Sequence, residues 1–180
     1  TSNFDQAYGF YDTNFKVNLE PSDSDKVSFS GYLGRDALDL NLPSFGNTQR
    51  QQLMDWGNQV GRFRWMHLYT DKFMGNVQVS ASRYVSNFEV GGGQNDAGDG
   101  PRGFGLNRNN SVVDLTFKAN FDYYSSAGHT TRAGMQVTQY DASYRQGVGD
   151  SSRSAINTLS MYETGFLEHT WRTGGLEVTP

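Results

Sequence analysis

The run VDLTFKANFD, residues 113–122, decides how this chain is built. Val113, Leu115, Phe117, Ala119 and Phe121 alternate without a break with Asp114, Thr116, Lys118, Asn120 and Asp122. Successive side chains of a β-strand point to opposite faces, so this run has one apolar face and one polar, charged face. A helix, with its period near 3.6, would scatter the same residues around its circumference. A half-buried sheet of a soluble protein contains such strands. So does the wall of a barrel with lipid outside and water inside.

Outward from this strand the pattern recurs. In NFKVNLEPSDSDKVSFSGYLGRD, residues 14–36, Phe15, Val17 and Leu19 oppose Asn14, Lys16, Asn18 and Glu20. After a turn rich in Ser and Asp, Val27, Phe29 and Leu33 oppose Lys26, Ser28 and Ser30. Period-2 alternation predicts further strands over about 58–69, 73–88, 131–144 and 158–171, and an eighth starting at Leu176, beside the first two over about 11–20 and 26–35. In the third, Phe63, Trp65 and His67 share one side, and Arg62, Arg64 and Met66 the other.

The connections separate the two settings. EPSDSDK, YTDKF, YYSSAGH and WRTGG are tight turns, whereas roughly 36–56, 89–110 and 145–155 are long links. Short and long connections therefore take turns along the chain. Structureless loops above about 12–15 residues are uncommon in a globular domain. In an outer-membrane barrel the alternation is expected, with short periplasmic turns and long extracellular loops. Strands of about 9–11 tilted residues are what a bilayer requires. Tyr69, Phe73, Tyr123, Tyr124 and Trp171 flank the short turns, and Tyr8, Phe10, Tyr32, Tyr84, Phe88, Tyr140 and Tyr144 lie near the long links. They read as the two aromatic girdles that sit at lipid headgroups.

Composition narrows the function. The 180 residues include 21 Gly and 14% aromatics, with 19% charged residues and a mean hydropathy of −0.66. That mixture suits strands and flexible loops. A net charge of −4 with both signs dispersed gives no footprint for nucleic acid. The absence of cysteine removes disulfides, thiolate zinc sites and cysteine nucleophiles. No apolar run is long enough for a transmembrane helix. The chain opens TSNFDQAYGF and ends LEVTP, apparently in mid-strand, which reads as a section of something longer.

Candidate chemistry is sparse. His67, His129 and His169 lie at strand ends without HxH, HxxxH or HExxH spacing, so no metal site is expected. The Gly-rich segment GGGQNDAGDGPRGFG, residues 91–105, lacks GK[ST] and carries Asp96 and Asp99, which repel phosphate. It reads as an extracellular loop, with a weak calcium site at the two aspartates as a minor alternative. Neither GxSxG nor SxxK occurs, and neither an enzyme activity nor a cofactor is expected. Arg62, Arg64, Lys16, Lys118 and Asp114 fall on the polar sides of their strands. They are the candidate contacts for a substrate or for another domain in the lumen. Arg62 and Arg64 have the further option of pairing with Asp114 and Asp122 across the wall.

WGNQVGRFRWMHLYTDKF (56–73), YDTNFKVNLEPSDSDKVSFSGYLGRD (11–36) and SVVDLTFKANFDYYSSAGHTTRAGMQV (111–137) carry a family resemblance. They resemble the barrel region of TonB-dependent outer-membrane receptors, in particular those of the Bacteroidetes and their relatives. The matching positions include Tyr11, Asp12, Asn14, Lys16, Asn18, Gly31, Tyr32, Gly34 and Asp36, then Trp56, Gly57, Asn58, Arg64, Trp65, His67 and Lys72. The resemblance runs from about Ala7 onward, and its loose motifs mark a barrel and no substrate. It implies outer-membrane lipid, a plug domain, the remaining barrel strands and, indirectly, the TonB system as partners. The sequence departs from that family in having no plug, no TonB box and no closing aromatic, and about eight of some 22 strands.

The expected fold is therefore all-β: an antiparallel, up-and-down transmembrane β-barrel section of about eight strands in one domain over 1–180, with no plug domain. The expected role is passive wall and loop of an outer-membrane receptor in a Gram-negative bacterium. Links near 38–53 and 90–110 would help form an external vestibule. Two other readings stay open at this point: a complete eight-stranded outer-membrane barrel with a structural or adhesion role, and a soluble β-sheet binding module.

Overall fold

The computed structural model describes residues 6–45, 48–92, 105–126, 128–149 and 151–179. It consists of β1 (Gln6–Ser22), β2 (Asp25–Phe45), β3 (Thr48–Thr70), β4 (Phe73–Gly92), β5 (Leu106–Ser126), β6 (His129–Val148), β7 (Ser151–Thr173) and β8 (Leu176–Val178). All eight belong to one antiparallel sheet in sequence order, so every connection joins neighbouring strands. The sheet is open, with β1 and β8 as its two edges. Among the described residues no helix is long and apolar enough to cross a membrane. At the β7–β8 turn, Gly174 and Gly175 have φ of 54° and 85°. Positive φ at both central residues of a two-residue hairpin turn is cheap only for glycine.

Register lines the side chains into rows. Val17, Phe29, Phe63, Val79, Phe117 and Val137 are successive partners across six strands. The adjacent row on the opposite face reads Asn18, Ser28, Arg64, Gln78, Lys118 and Gln136. The alternation within each strand has thus become an apolar face and a polar face of the whole sheet. Glu163, paired with Val137, breaks the apolar row on β7, and nothing in the structure explains it.

On β5 the two faces are covered in the reverse of a soluble protein's order. Leu115 and Phe117 are 52% and 39% exposed, whereas Asp114, Thr116 and Lys118 between them are sheltered. Thr138 on the polar face is the most buried side chain, at 1%, and Ala119 is the single buried apolar residue of the described chain. On β5 the polar face is therefore the more sheltered one, whereas both faces of β1 are open and on β3 Arg62 and Arg64 are exposed beside half-buried Phe63 and Trp65. A soluble sheet places its apolar face against a second layer, and here Leu159 (69%) and Leu167 (75%) lie open. On β5 the apolar side chains run from Val113 to Tyr123, about 33 Å along the strand. At a tilt of about 40° that spans about 25 Å, the height of the lipid-facing band of an outer-membrane barrel.

Glycines on these faces are covered by aromatic rings from the neighbouring strand. A Cβ on Gly31 would lie 2.4 Å from the Phe15 ring, and one on Gly134 would lie 2.4 Å from the Phe166 ring. Ring over glycine compensates for the side chain the glycine lacks and fixes the register.

One sequence expectation changes. The long links over roughly 36–56 and 145–155 are mostly strand: β2 continues to Phe45 and β3 begins at Thr48, while β6 and β7 are separated by two residues. Alternation was hard to follow there because the faces exchange character. Above the band, Arg35, Asp55, Asn87 and Asn109 occupy the apolar face's positions, and Leu38, Met54, Trp56 and Phe88 the polar face's. The Gly-rich loop reading, with Asp96 and Asp99, falls on residues 93–104, outside the described ones.

Placing arginine at Phe117 is expected to destabilise the folded protein in lipid vesicles by about 2–4 kcal/mol. Arginine at Thr116, one residue away on the polar face, should cost far less. Denaturant titrations of both variants reconstituted in vesicles measure this, and equal losses would contradict the assignment of faces.

Candidate functional site

The polar face has a distinct charge pattern at mid-height. Lys16, Ser30, Arg62, Ser80, Thr116, Thr138 and Tyr162 form one row of partners, and Asn18, Ser28, Arg64, Gln78, Lys118, Gln136 and Thr164 form the next. These two rows hold four cations and no carboxylate. Of the five expected site residues, Lys16, Arg62, Arg64 and Lys118 therefore come together as a belt, and Asp114 lies one row above it, level with Ser82 and Tyr140.

Local partners define what each group has free. Arg64 Nε donates to Asn76 Oδ1 at 2.9 Å, and the Ser82 hydroxyl donates to the Asp114 carboxylate. Asp122 takes Arg132 Nε at 3.1 Å, and Glu20 takes Lys26 Nζ at 3.1 Å. The option of Arg62 and Arg64 pairing with Asp114 and Asp122 is thus not realised, because the carboxylates have nearer partners on adjacent strands. Thr116 and Thr138 share a hydrogen bond at 2.9 Å, and Gln136 Nε2 donates to Thr138 Oγ1 at 3.2 Å. They bind β5 to β6 beside the belt.

The aromatics divide between the faces in a way the sequence reading missed. Near the short turns, Trp65, His67, Tyr69, Phe73, Phe121 and Tyr123 follow one another ring to ring at 4.6–6.5 Å on the apolar face. Of the five rings expected there, Tyr69, Phe73 and Tyr123 belong to this cluster, Trp171 lies on the same face against His129, and Tyr124 has the parity of the opposite face. The second expected girdle is corrected. Tyr8, Phe10, Tyr32, Tyr84, Phe88, Tyr140 and Tyr144 all have the parity of the polar face. They lie on that face, on the side of the belt away from the short turns. Tyr8 and Phe10 stack at 5.9 Å, and the Arg108 guanidinium lies 5.9 Å above the Phe88 ring. The Tyr8 hydroxyl donates to Asp36 Oδ1 at 2.6 Å, which raises its pKa because the bond requires the proton. Strand parity carried across the sheet from residue 117 would have placed these rings, had the long links been read as strand.

The histidines lie at the turns. His129 Nδ1 and His169 Nε2 are 3.2 Å apart, with Thr131 Oγ1 at 2.9 Å from His169 Nδ1. Among the described residues no group of three or more His, Asp or Glu side chains converges as metal ligands would. At the β1–β2 turn Asp25 accepts from the Ser22 hydroxyl (2.6 Å) and Trp65 Nε1 (2.9 Å), and contacts His67 Nδ1 (2.6 Å). These bonds favour the carboxylate and lower its pKa from 3.8 to about 2.

An open, up-and-down antiparallel sheet with one apolar and one polar, charged face is similar in fold to part of a larger solved protein. The solved structure of the ferric yersiniabactin uptake receptor FyuA from Yersinia pestis is similar, with a TM-score of 0.65 and 8% sequence identity. The match covers 92% of this chain and 26% of that receptor, so the chain spans about a quarter of its length. No family model matches the sequence, and neither does any curated protein.

The Asp25 cluster has a pH signature. With the carboxyl's pKa depressed in the folded state, its bonds stabilise the turn fully above about pH 4 and are lost as pH falls toward 2. The Leu68 amide, which donates to Ser24 O at 2.8 Å, should lose hydrogen-exchange protection across that window after correction for intrinsic rate. Asp25→Asn should flatten the profile. Unchanged protection down to pH 2 in the unsubstituted protein would contradict it.

Proposed function

We propose that this chain is a section of the wall of an outer-membrane uptake receptor of the TonB-dependent type. The observation that carries the reading is the pairing of an uncovered apolar band, about 25 Å high at the strand tilt of such barrels, with an opposite face that is polar and charged. Lipid is the medium that would cover the first, and a plug domain and passing substrate are what would meet the second. Membrane location, energised transport and the receptor role belong to this proposal, as do the plug, the remaining strands and the TonB system as partners. In this reading the chain is wall and mouth, with no catalytic role.

The inner surface supports a division of labour. Substrate would first meet the ring-lined mouth at Tyr8, Phe10, Trp56, Tyr84, Phe88 and Tyr144, where flat apolar surface binds without requiring a particular sequence of hydrogen bonds. Lower down, Lys16, Arg62, Arg64 and Lys118 would hold carboxylates of the plug or anionic groups of the substrate. The open sheet edges at β1 and β8 favour a larger barrel over a closed eight-stranded one, because unpaired edge groups within lipid would each cost several kcal/mol.

The mass of the native protein, extracted from envelope membranes in detergent and detected through a peptide of this sequence, tests the reading. A mass several-fold above 20.1 kDa is expected. A native mass near that value would replace the receptor wall with a small self-contained barrel. Within the large protein, Arg62→Glu with Arg64→Glu is expected to lower energised uptake about tenfold while the amount of barrel in the membrane stays the same. Unaltered uptake would remove the belt from the proposal.

A further inference from the structure

Among the described residues, the upper rim of the apolar face lacks a ring cluster like that at the lower rim. In its place is an open cavity of about 240 Å³ on the outer face, lined by Tyr11, Arg35, Asp55, Gly57, Gln59 and Arg83 among others. Arg83 is the partner of Gln59 across β3 and β4, in the row where the apolar band ends. Asp55 is already held by Arg35 Nη2 at 3.0 Å and by Asn87 Nδ2 at 3.1 Å to both oxygens. Two guanidinium groups against one occupied carboxylate leave the cavity with one net positive charge. Arg83 has no carboxylate partner among the described residues, and Gln59 and Tyr11 add further donors at the same level.

The surface beneath is shaped as well. One row toward the lipid, Gly61 pairs with Ala81, and a Cβ added at Gly61 would meet nothing within 4 Å. Phe15, folded over Gly31, bounds this dent on one side, and Leu115, the partner of Ala81, bounds it on the other. A cationic cavity thus opens at headgroup height directly above an apolar dent running down the lipid-facing side.

We propose that this outer face binds one phosphate-bearing lipid, its phosphate held by Arg83 and Arg35 and an acyl chain lying over Gly61 and Ala81. The inference rests on the membrane reading above and adds a ligand to the face turned away from the substrate path. Guanidinium binds phosphate oxygens by charge-assisted hydrogen bonds, which are stronger at a membrane surface than in bulk water. The glycine–alanine pair supplies depth that a Leu or Phe would fill. Such a lipid would cover the upper rim where the lower rim uses rings.

The test uses the whole protein that carries this chain, purified in maltoside micelles and titrated with dimyristoyl phosphatidic acid or dimyristoylglycerol, with bound lipid counted by native mass spectrometry. The two lipids differ only in the phosphate. The phosphatidic acid is expected to bind about tenfold more tightly, Arg83→Gln to remove most of that preference, and Gly61→Leu to weaken both lipids. Arg132→Gln, on the polar face, should leave both affinities unchanged. Equal binding of the two lipids, or unaltered binding in both the Arg83 and Gly61 variants, overturns the site while leaving the membrane reading intact. Displacement of the lipid by millimolar inorganic phosphate overturns it in favour of a free-anion site. Recovery of the protein from envelopes without detergent would sink the membrane reading and this inference together.

Discussion

Each strand has to put its apolar side chains somewhere, and the described chain offers no second layer to receive them. That constraint governs the rest. Burying a Leu or Phe is worth about 1.5–3 kcal/mol, and soluble monomers rarely leave contiguous apolar patches beyond a few hundred Å². A face carrying Val17, Phe29, Phe63, Val79 and Phe117 in one row and Leu19, Val27, Trp65, Val77 and Ala119 in the next would be an aggregation hazard in water. In hydrocarbon it is simply the wetted side. The backbone poses no competing problem within the sheet, because the ladders of β2 to β6 satisfy their groups on both sides.

Much of the fold was legible because the segments that carry the apolar band keep one phase. From Val113 to Asp122 the alternation never slips, and a single slip would send every later side chain to the wrong face. The tight turns were legible too, since Ser, Asp and Gly mark them. Above the band the same strands were read as loops because their pattern inverts: Trp56, Phe88 and Tyr144 share the parity of Arg64 and Lys118. On the proposed membrane reading, water touches the outer surface beyond the bilayer, so polar groups such as Asp55 and Asn87 lie there. Apolar rings then have only the inner surface left. A window spanning both regimes averages two opposite patterns and shows neither.

The candidate site divides along the same line. That Lys16, Arg62, Arg64 and Lys118 share a face follows from strand parity, so their residue types and spacing sufficed. Their arrangement as two adjacent rows without a carboxylate depends on cross-strand register. Register is set by pairings such as Phe15 over Gly31 and Phe166 over Gly134, which no single strand's sequence displays. The outer cavity at Arg35 and Arg83 was illegible for the same reason. It is lined by Gly57 on one strand and takes its charge from arginines on the two strands beside it.

Everything above turns on which medium touches which face of β5, and one measurement addresses that directly. Environment-sensitive probes are attached one at a time at positions 115, 117 and 119 and at 116, 118 and 120 of the protein in lipid vesicles. The probes at 115, 117 and 119 should report lipid and be quenched by lipid-borne quenchers, and those at 116, 118 and 120 should report water. The reverse pattern, or no alternation along the six positions, would contradict a membrane-spanning wall and return the sheet to an aqueous setting.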